Sequence, residues 1–136
     1  MEVVNEVVPT DPERIARMRE PGPEGPIYMV NLLRFRDRAE YPDGRPTDLT
    51  GREAYALYGQ AVARILPDYG GEIVFVGDVT FCPLGVVEDL WDEIAIVRYP
   101  SRRHLWEMST SAAWQEAAVH RTAGLAGQLN IETVAP

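Results

Sequence analysis

The chain has 136 residues, 46% hydrophobic and 25% charged, with 13 basic and 21 acidic side chains and a formal net charge of −8. That length supports one domain with a single core. The acidic balance argues against nucleic acid or an anionic membrane as partner, and no apolar run approaches the ~20 residues of a membrane helix. All 13 basic residues are arginine, so Schiff-base chemistry, a pyridoxal phosphate anchor and a Walker lysine are excluded.

Met1-Glu2-Val3-Val4-Asn5-Glu6 lacks the basic start and apolar core of a signal peptide, and the lone Cys82 rules out an internal disulfide framework, so a cytoplasmic protein is expected. Thr10-Asp11-Pro12-Glu13 predicts a helix start, with Glu13 closing a capping box on Thr10. Pro21-Gly22-Pro23-Glu24-Gly25-Pro26 ends that helix as a linker, so residues 1–25 are expected to form a helix and linker ahead of a domain over 26–136.

Ile27 to Phe35 predicts a strand that is apolar on both faces: Ile27, Met29, Leu33 and Phe35 flank Asn31 on one, and Tyr28, Val30 and Leu32 precede Arg34 on the other. Arg36 to Leu49 is a polar connection with a turn at Tyr41-Pro42-Asp43-Gly44. It reads as a solvated excursion, although loops of this length also serve as lids. Thr50-Gly51-Arg52-Glu53 is a second capping box, and the helix after it carries Ala54, Leu57, Tyr58, Ala61, Val62 and Ile65 on one face. Strands are predicted at Glu72–Gly77, Leu90–Tyr99 and Gln128–Val134. Ser101 caps a short helix, and another runs from about Ala112 to Ala123.

After the first helix the order is β-α-β-β-α-β, the ferredoxin-like arrangement of an α+β fold, with helices on one sheet face and the other bare. Monomers rarely expose large contiguous apolar patches, so the bare face is expected to meet a second copy of the chain.

The chain resembles the small bacterial proteins grouped as domain of unknown function 1330, within the dimeric α/β-barrel superfamily. The resemblance rests on Pro26 to Phe35, Tyr58, Gly70-Gly71, Trp91-Asp92, Arg98-Tyr99-Pro100-Ser101, Trp114 and His120 to Leu125, and covers roughly residues 26–134. It implies a homodimer whose two sheets pack face to face into a dimeric α/β barrel. It implies no reaction, since relatives on this fold include cofactor-free monooxygenases, lactone isomerases, polyketide cyclases and haem-handling proteins.

His120 is the candidate acid or base, and Arg121 beside it can clamp a carboxylate. Neighbours on a helix point about 100° apart, so only one of them faces a given pocket squarely. The duller reading gives Arg121 a salt bridge to Glu116 or Glu132 and has His120 cap a carbonyl. Asn31 needs partners when buried: a ligand, a neighbouring side chain or a water. Arg34 can hold an anion or pair with Glu93 or Asp92. Tyr58 can orient a ligand or bond to backbone, and Trp106 and Trp114 can wall an aromatic pocket or pack in the core.

His104, His120 and Cys82 are too widely spaced for a metal pattern, and no cofactor is called for. A haem on His120 or His104 is the least favoured reading. The expected function is a homodimeric enzyme or binder for a small aromatic or polyketide-like molecule and, if an enzyme, a cofactor-independent isomerase, cyclase or monooxygenase. The alternative is a non-catalytic ligand-binding or structural dimer.

Overall fold

Local chemistry fixes most element boundaries in the computed structural model, which describes residues 3–136; Met1 and Glu2, at the head of the expected 1–25 region, lie outside the described residues. Helix α1 (Pro12–Met18) is capped by Asp11, whose carboxylate accepts the Glu13 N–H at 3.0 Å. Thr10 instead turns its hydroxyl to Glu6, so the expected Thr10–Glu13 box does not form. Strand β1 (Ile27–Phe35) has the expected bounds. Helix α2 (Gly51–Ile65) opens on the complete Thr50–Glu53 capping box, its two hydrogen bonds 3.0 and 3.1 Å long.

A 3₁₀ turn, Leu66–Tyr69, closes on Gly70 at φ 68°, a left-handed conformation that favours glycine. Strands β2 (Glu72–Asp78) and β3 (Glu93–Tyr99) follow. β3 begins at Glu93 and not at Leu90, because Asp92 is committed elsewhere: its N–H donates to Leu33 and its carboxylate accepts the Phe35 N–H at 2.8 Å. Helices α3 (Arg102–Ser109) and α4 (Ala112–Gly124) are capped by Ser101 and Ser111, and β4 (Leu125–Thr133) completes the chain. No helix among the described residues is long and apolar enough to cross a membrane.

The four strands form one antiparallel sheet in the order β2-β3-β1-β4, the ferredoxin-like topology. The sheet is open, with β2 and β4 as its edges, so no barrel closes within one chain.

The two sheet faces differ. Ile27 and Met29 of β1 pack with Val62, Leu66, Tyr99 and Met108 in the main core, and Leu33 packs with Ala95 and Leu125 beside Phe35 and Tyr55. This is the helix face. The strand registers place two cross-strand rows on the opposite face: Phe75, Ile96, Val30 and Ile131, then Gly77, Ile94, Leu32 and Leu129. Phe75 is 54% exposed and Ile131 45%. The apolar belt spans all four strands, with Arg98 and Tyr28 on one side and Arg34 on the other.

Helices α2 and α4 meet through backbone where Gly51 and Gly124 cross. A Cβ on Gly51 would lie 2.6 Å from the Gly124 carbonyl oxygen, closer than real Cβ contacts come. The 36–49 connection is anchored rather than solvated: Ala39 and Tyr41 are buried with Ala54 and Ala123, and Ala39 and Glu40 donate backbone bonds to Leu49 and Ala123. Leu57, expected on the buried side of α2, is 40% exposed, because the α2 residues that turn inward are Gly51, Ala54 and Val62.

Candidate functional site

The space between helices and sheet is a cavity of about 1810 Å³. That exceeds the ~300–1,000 Å³ of closed small-molecule pockets, so it is a groove with room for a ligand and water. Its floor is the helix face of the sheet around Met29, Asn31, Ala95 and Val97. Its roof carries Tyr55, Tyr58 and Val62 from α2 and Trp114 and Arg121 from α4. The N-terminal arm supplies a wall through Val7, Pro9 and Ile15, and Asn5 lies against Gly127, where a Cβ would come 2.3 Å from the Asn5 Cβ.

Asn31 organises the floor. β1 pairing sets it opposite Ala95 on one side and Asn130 on the other. Its amide nitrogen donates to the Ala95 and Met29 carbonyls at 3.2 and 3.3 Å. Its Oδ1 accepts from Gln128 Nε2 at 2.8 Å and Asn130 Nδ2 at 2.6 Å. Gln128, buried at 8% exposure, accepts on Oε1 from Arg121 Nε at 3.0 Å and Nη2 at 2.6 Å. A relay of amides thus runs from the Arg121 guanidinium to the β4 edge.

Arg121 has no carboxylate within salt-bridge distance among the described residues. Burial lowers its pKa, while the Tyr58 and Tyr55 hydroxyls act the other way; an arginine stays cationic regardless. Its only acceptor among the described residues is neutral, so none of them cancels its charge.

Aromatic rings line one side in sequence. Phe35, Tyr55, Tyr58 and Trp114 follow one another at ring separations of 5.4, 5.3 and 6.3 Å, and Trp114 Nε1 donates to the Tyr58 hydroxyl at 3.2 Å. Burial raises the pKa of Tyr55, Tyr58 and Tyr99, so all three stay protonated and can donate.

The cleft therefore gathers five of the seven site residues expected from sequence: Asn31, Tyr58, Trp106, Trp114 and Arg121. Trp106 stands at the arm end, with Arg19 over its ring at 5.6 Å. The other two lie elsewhere. Arg34 is on the belt face, donating to the Leu90 carbonyl at 2.9 Å and pairing with Asp89, not with Glu93 or Asp92. His120 does not line the cleft: its Nδ1 lies 2.7 Å from the Tyr41 hydroxyl, under the 36–49 connection. Glu132, one expected partner of Arg121, is held instead by two bonds of 2.7 Å from Arg102.

Sequence reasoning missed Gln128 and Asn130. They alternate with Leu129 and Ile131, and that alternation could have placed them on the covered face once the strand was extended to Leu125. It also missed Tyr55 and Glu93. Among the described residues no cluster of three or more His, Cys, Asp or Glu side chains could hold a metal ion.

Comparison with known proteins adds a family but no activity. No curated protein matches the chain. The RPA0582 protein of Rhodopseudomonas palustris, a structural genomics target of unknown function, shares 35% identity at a TM-score of 0.84, covering 98% of this chain and 100% of that one. The structure of methylated RPA0582 protein gives 36% identity and a TM-score of 0.87, over 98% and 97% of the two chains. A dimeric ferredoxin-like protein of unknown function from Bacteroides fragilis stands at 12% identity and TM-score 0.49, over 79% and 94%. The family model for DUF1330, a domain of unknown function, matches residues 46–133, and the chain belongs to that family.

Proposed function

We propose that this protein is a homodimer that binds a small organic anion, aromatic or polyketide-like, in the cleft between helices and sheet. The observation that carries the reading is Arg121: a half-buried cation whose one acceptor among the described residues is a neutral amide, facing an aromatic wall. A guanidinium in that setting is completed by a ligand carboxylate or enolate, which it can grip with two parallel hydrogen bonds. The Tyr55 and Tyr58 rings supply apolar area, and the amides on Asn31 fix orientation. Residues 26–136 act as the binding domain, and the described part of the N-terminal region, 3–25, as an arm that walls it.

The homodimer reading rests on the apolar belt of the sheet. A second copy related by a two-fold axis would cover the same rows on both chains. Sedimentation at micromolar concentration is expected to give twice the chain mass, and the mass of one chain would overturn the pairing.

Binding is tested by thermal shift with benzoate and phenylpyruvate against their amides. The acids are expected to raise Tm with concentration and the amides to leave it unchanged, with Arg121→Gln losing the response. Equal responses to acid and amide, or an unaffected variant, would remove the anion site. The placement of His120 against Tyr41 favours a second reading, a non-catalytic ligand-binding dimer, because no imidazole lines the cleft.

A further inference from the structure

Among the described residues three carboxylates line the cleft: Glu6, Glu93 and Glu132. Glu132 is saturated by the two Arg102 bonds, and Glu6 pairs with Arg14 on the arm. Glu93 differs from both. Its side chain is only 14% exposed, and one oxygen has a single contact, Arg52 Nη1 at 3.3 Å. That same nitrogen sits closer to Asp78, at 2.8 Å. The other Glu93 oxygen has no partner among the hydrogen bonds of the described residues, yet it is not sealed from the cavity. Glu93 is thus the most buried and least neutralised carboxylate of the cleft.

Its position is set by the sheet. Glu93 pairs with Leu33, which pairs with Gln128, so the carboxylate and the Gln128 that holds Arg121 stand in one cross-strand row with a single strand between them. Tyr55, its ring packed against Phe35 and Tyr58, lines the same cleft as Glu93 and Arg121. Strand spacing puts the backbones of Glu93 and Gln128 about 10 Å apart, the span of a small aromatic acid.

Resting on the anion-binding reading above, we propose that Glu93 is the proton acceptor of the cleft and that the ligand is an enolisable carbonyl acid. Glu93 takes a proton from the carbon next to the carbonyl. The C–H electron pair becomes the new C=C bond, and the carbonyl π pair moves onto oxygen, giving an enolate held by Arg121. Return of a solvent-exchanged proton to the same carbon gives exchange, and its delivery to the enolate oxygen gives the enol tautomer; no oxidant or metal enters. Desolvation and the neighbouring Asp78 hold the Glu93 carboxyl above its ordinary pKa, with Arg52 opposing, which suits a base that must also release its proton.

The probe is phenylpyruvate, with exchange of its methylene protons in D₂O followed by NMR and binding measured separately by calorimetry. Wild type is expected to bind it and to exchange it faster than buffer. Glu93→Gln should lose at least about 100-fold of that acceleration while the Kd stays within about threefold. The wild-type rate should rise with pH through a midpoint above the usual glutamate value, a readout that does not depend on the variant folding. Binding without accelerated exchange, wild-type exchange in the variant, or a pH-independent rate would overturn the role of Glu93 and leave the binding reading standing. No binding by wild type would overturn both.

Discussion

The two faces of the sheet divide their polar residues unevenly: the covered face sets several amides and a carboxylate among its core aliphatics. The face covered by the chain's own helices carries Asn31, Gln128, Asn130 and Glu93, while the bare face carries Val30, Leu32, Ile94, Ile96, Leu129 and Ile131. Aliphatics do lie under the helices, Ile27, Met29 and Leu33 among them, but a lone domain would not also leave a second apolar row facing water. The contrast is what the proposed cleft and the proposed dimer each account for: buried polar groups on one side, an uncovered apolar belt on the other.

The comparison can be broken most severely from the bare side. Ile96→Asp places a charge in the middle of the belt, and in a two-fold dimer it does so twice. Each unpaired buried carboxylate costs several kcal/mol, so the expected outcome is complete loss of the dimer by light scattering, with the helices retained. An unchanged dimer would show that the belt is not the interface.

On the covered side, Leu33→Ala removes a side chain of 0% exposure and is expected to cost about 2–5 kcal/mol in urea unfolding. The same change at Leu32, one residue along on the belt, should cost clearly less in the isolated subunit. Asn31→Ala leaves two amide donors without their shared acceptor and is expected to cost about 1–3 kcal/mol, together with weaker anion binding as Gln128 and Arg121 lose their support.

The smallest effect has a sign. Burial raises the Glu93 pKa in the folded state, so its contribution to stability is full below the unfolded value and is lost as pH rises through the folded one. Glu93→Gln should therefore melt about 1–3 °C higher than wild type at neutral pH, with the gain disappearing in acid. Glu132 runs the other way: Arg102 lowers its pKa, so its contribution is present above the unfolded value and is lost as pH falls through the folded one. A Glu93→Gln protein that melts lower than wild type at neutral pH would contradict the balance drawn for that carboxylate.

Much of this arrangement was legible in the sequence because it rests on local rules. β1 announces two apolar faces through simple alternation, and Thr50 with Glu53 announces α2 through a reciprocal cap. The 100° between His120 and Arg121 already required that one of them turn away. Which one did was not legible, because it depends on Tyr41, a residue 79 positions away that meets His120 only in the folded chain. The start of β4 was misplaced for a related reason. Gly124 and Gly127 interrupt the residue pattern between Ala123 and Gln128, yet at both positions backbone or another side chain comes too close for a Cβ. Glu93 read as a partner for Arg34, and only the sheet register shows that the two point to opposite faces.

The crossing of Gly51 and Gly124 acts as a pivot. With no side chain between them, the start of α2 and the end of α4 are pinned together, so the gape of the jaw beyond depends on how closely two stretches of main chain can touch. A methyl group added at either position would pry both helices off the sheet at once. The width of the cleft can thus be retuned from a point where no lining residue changes.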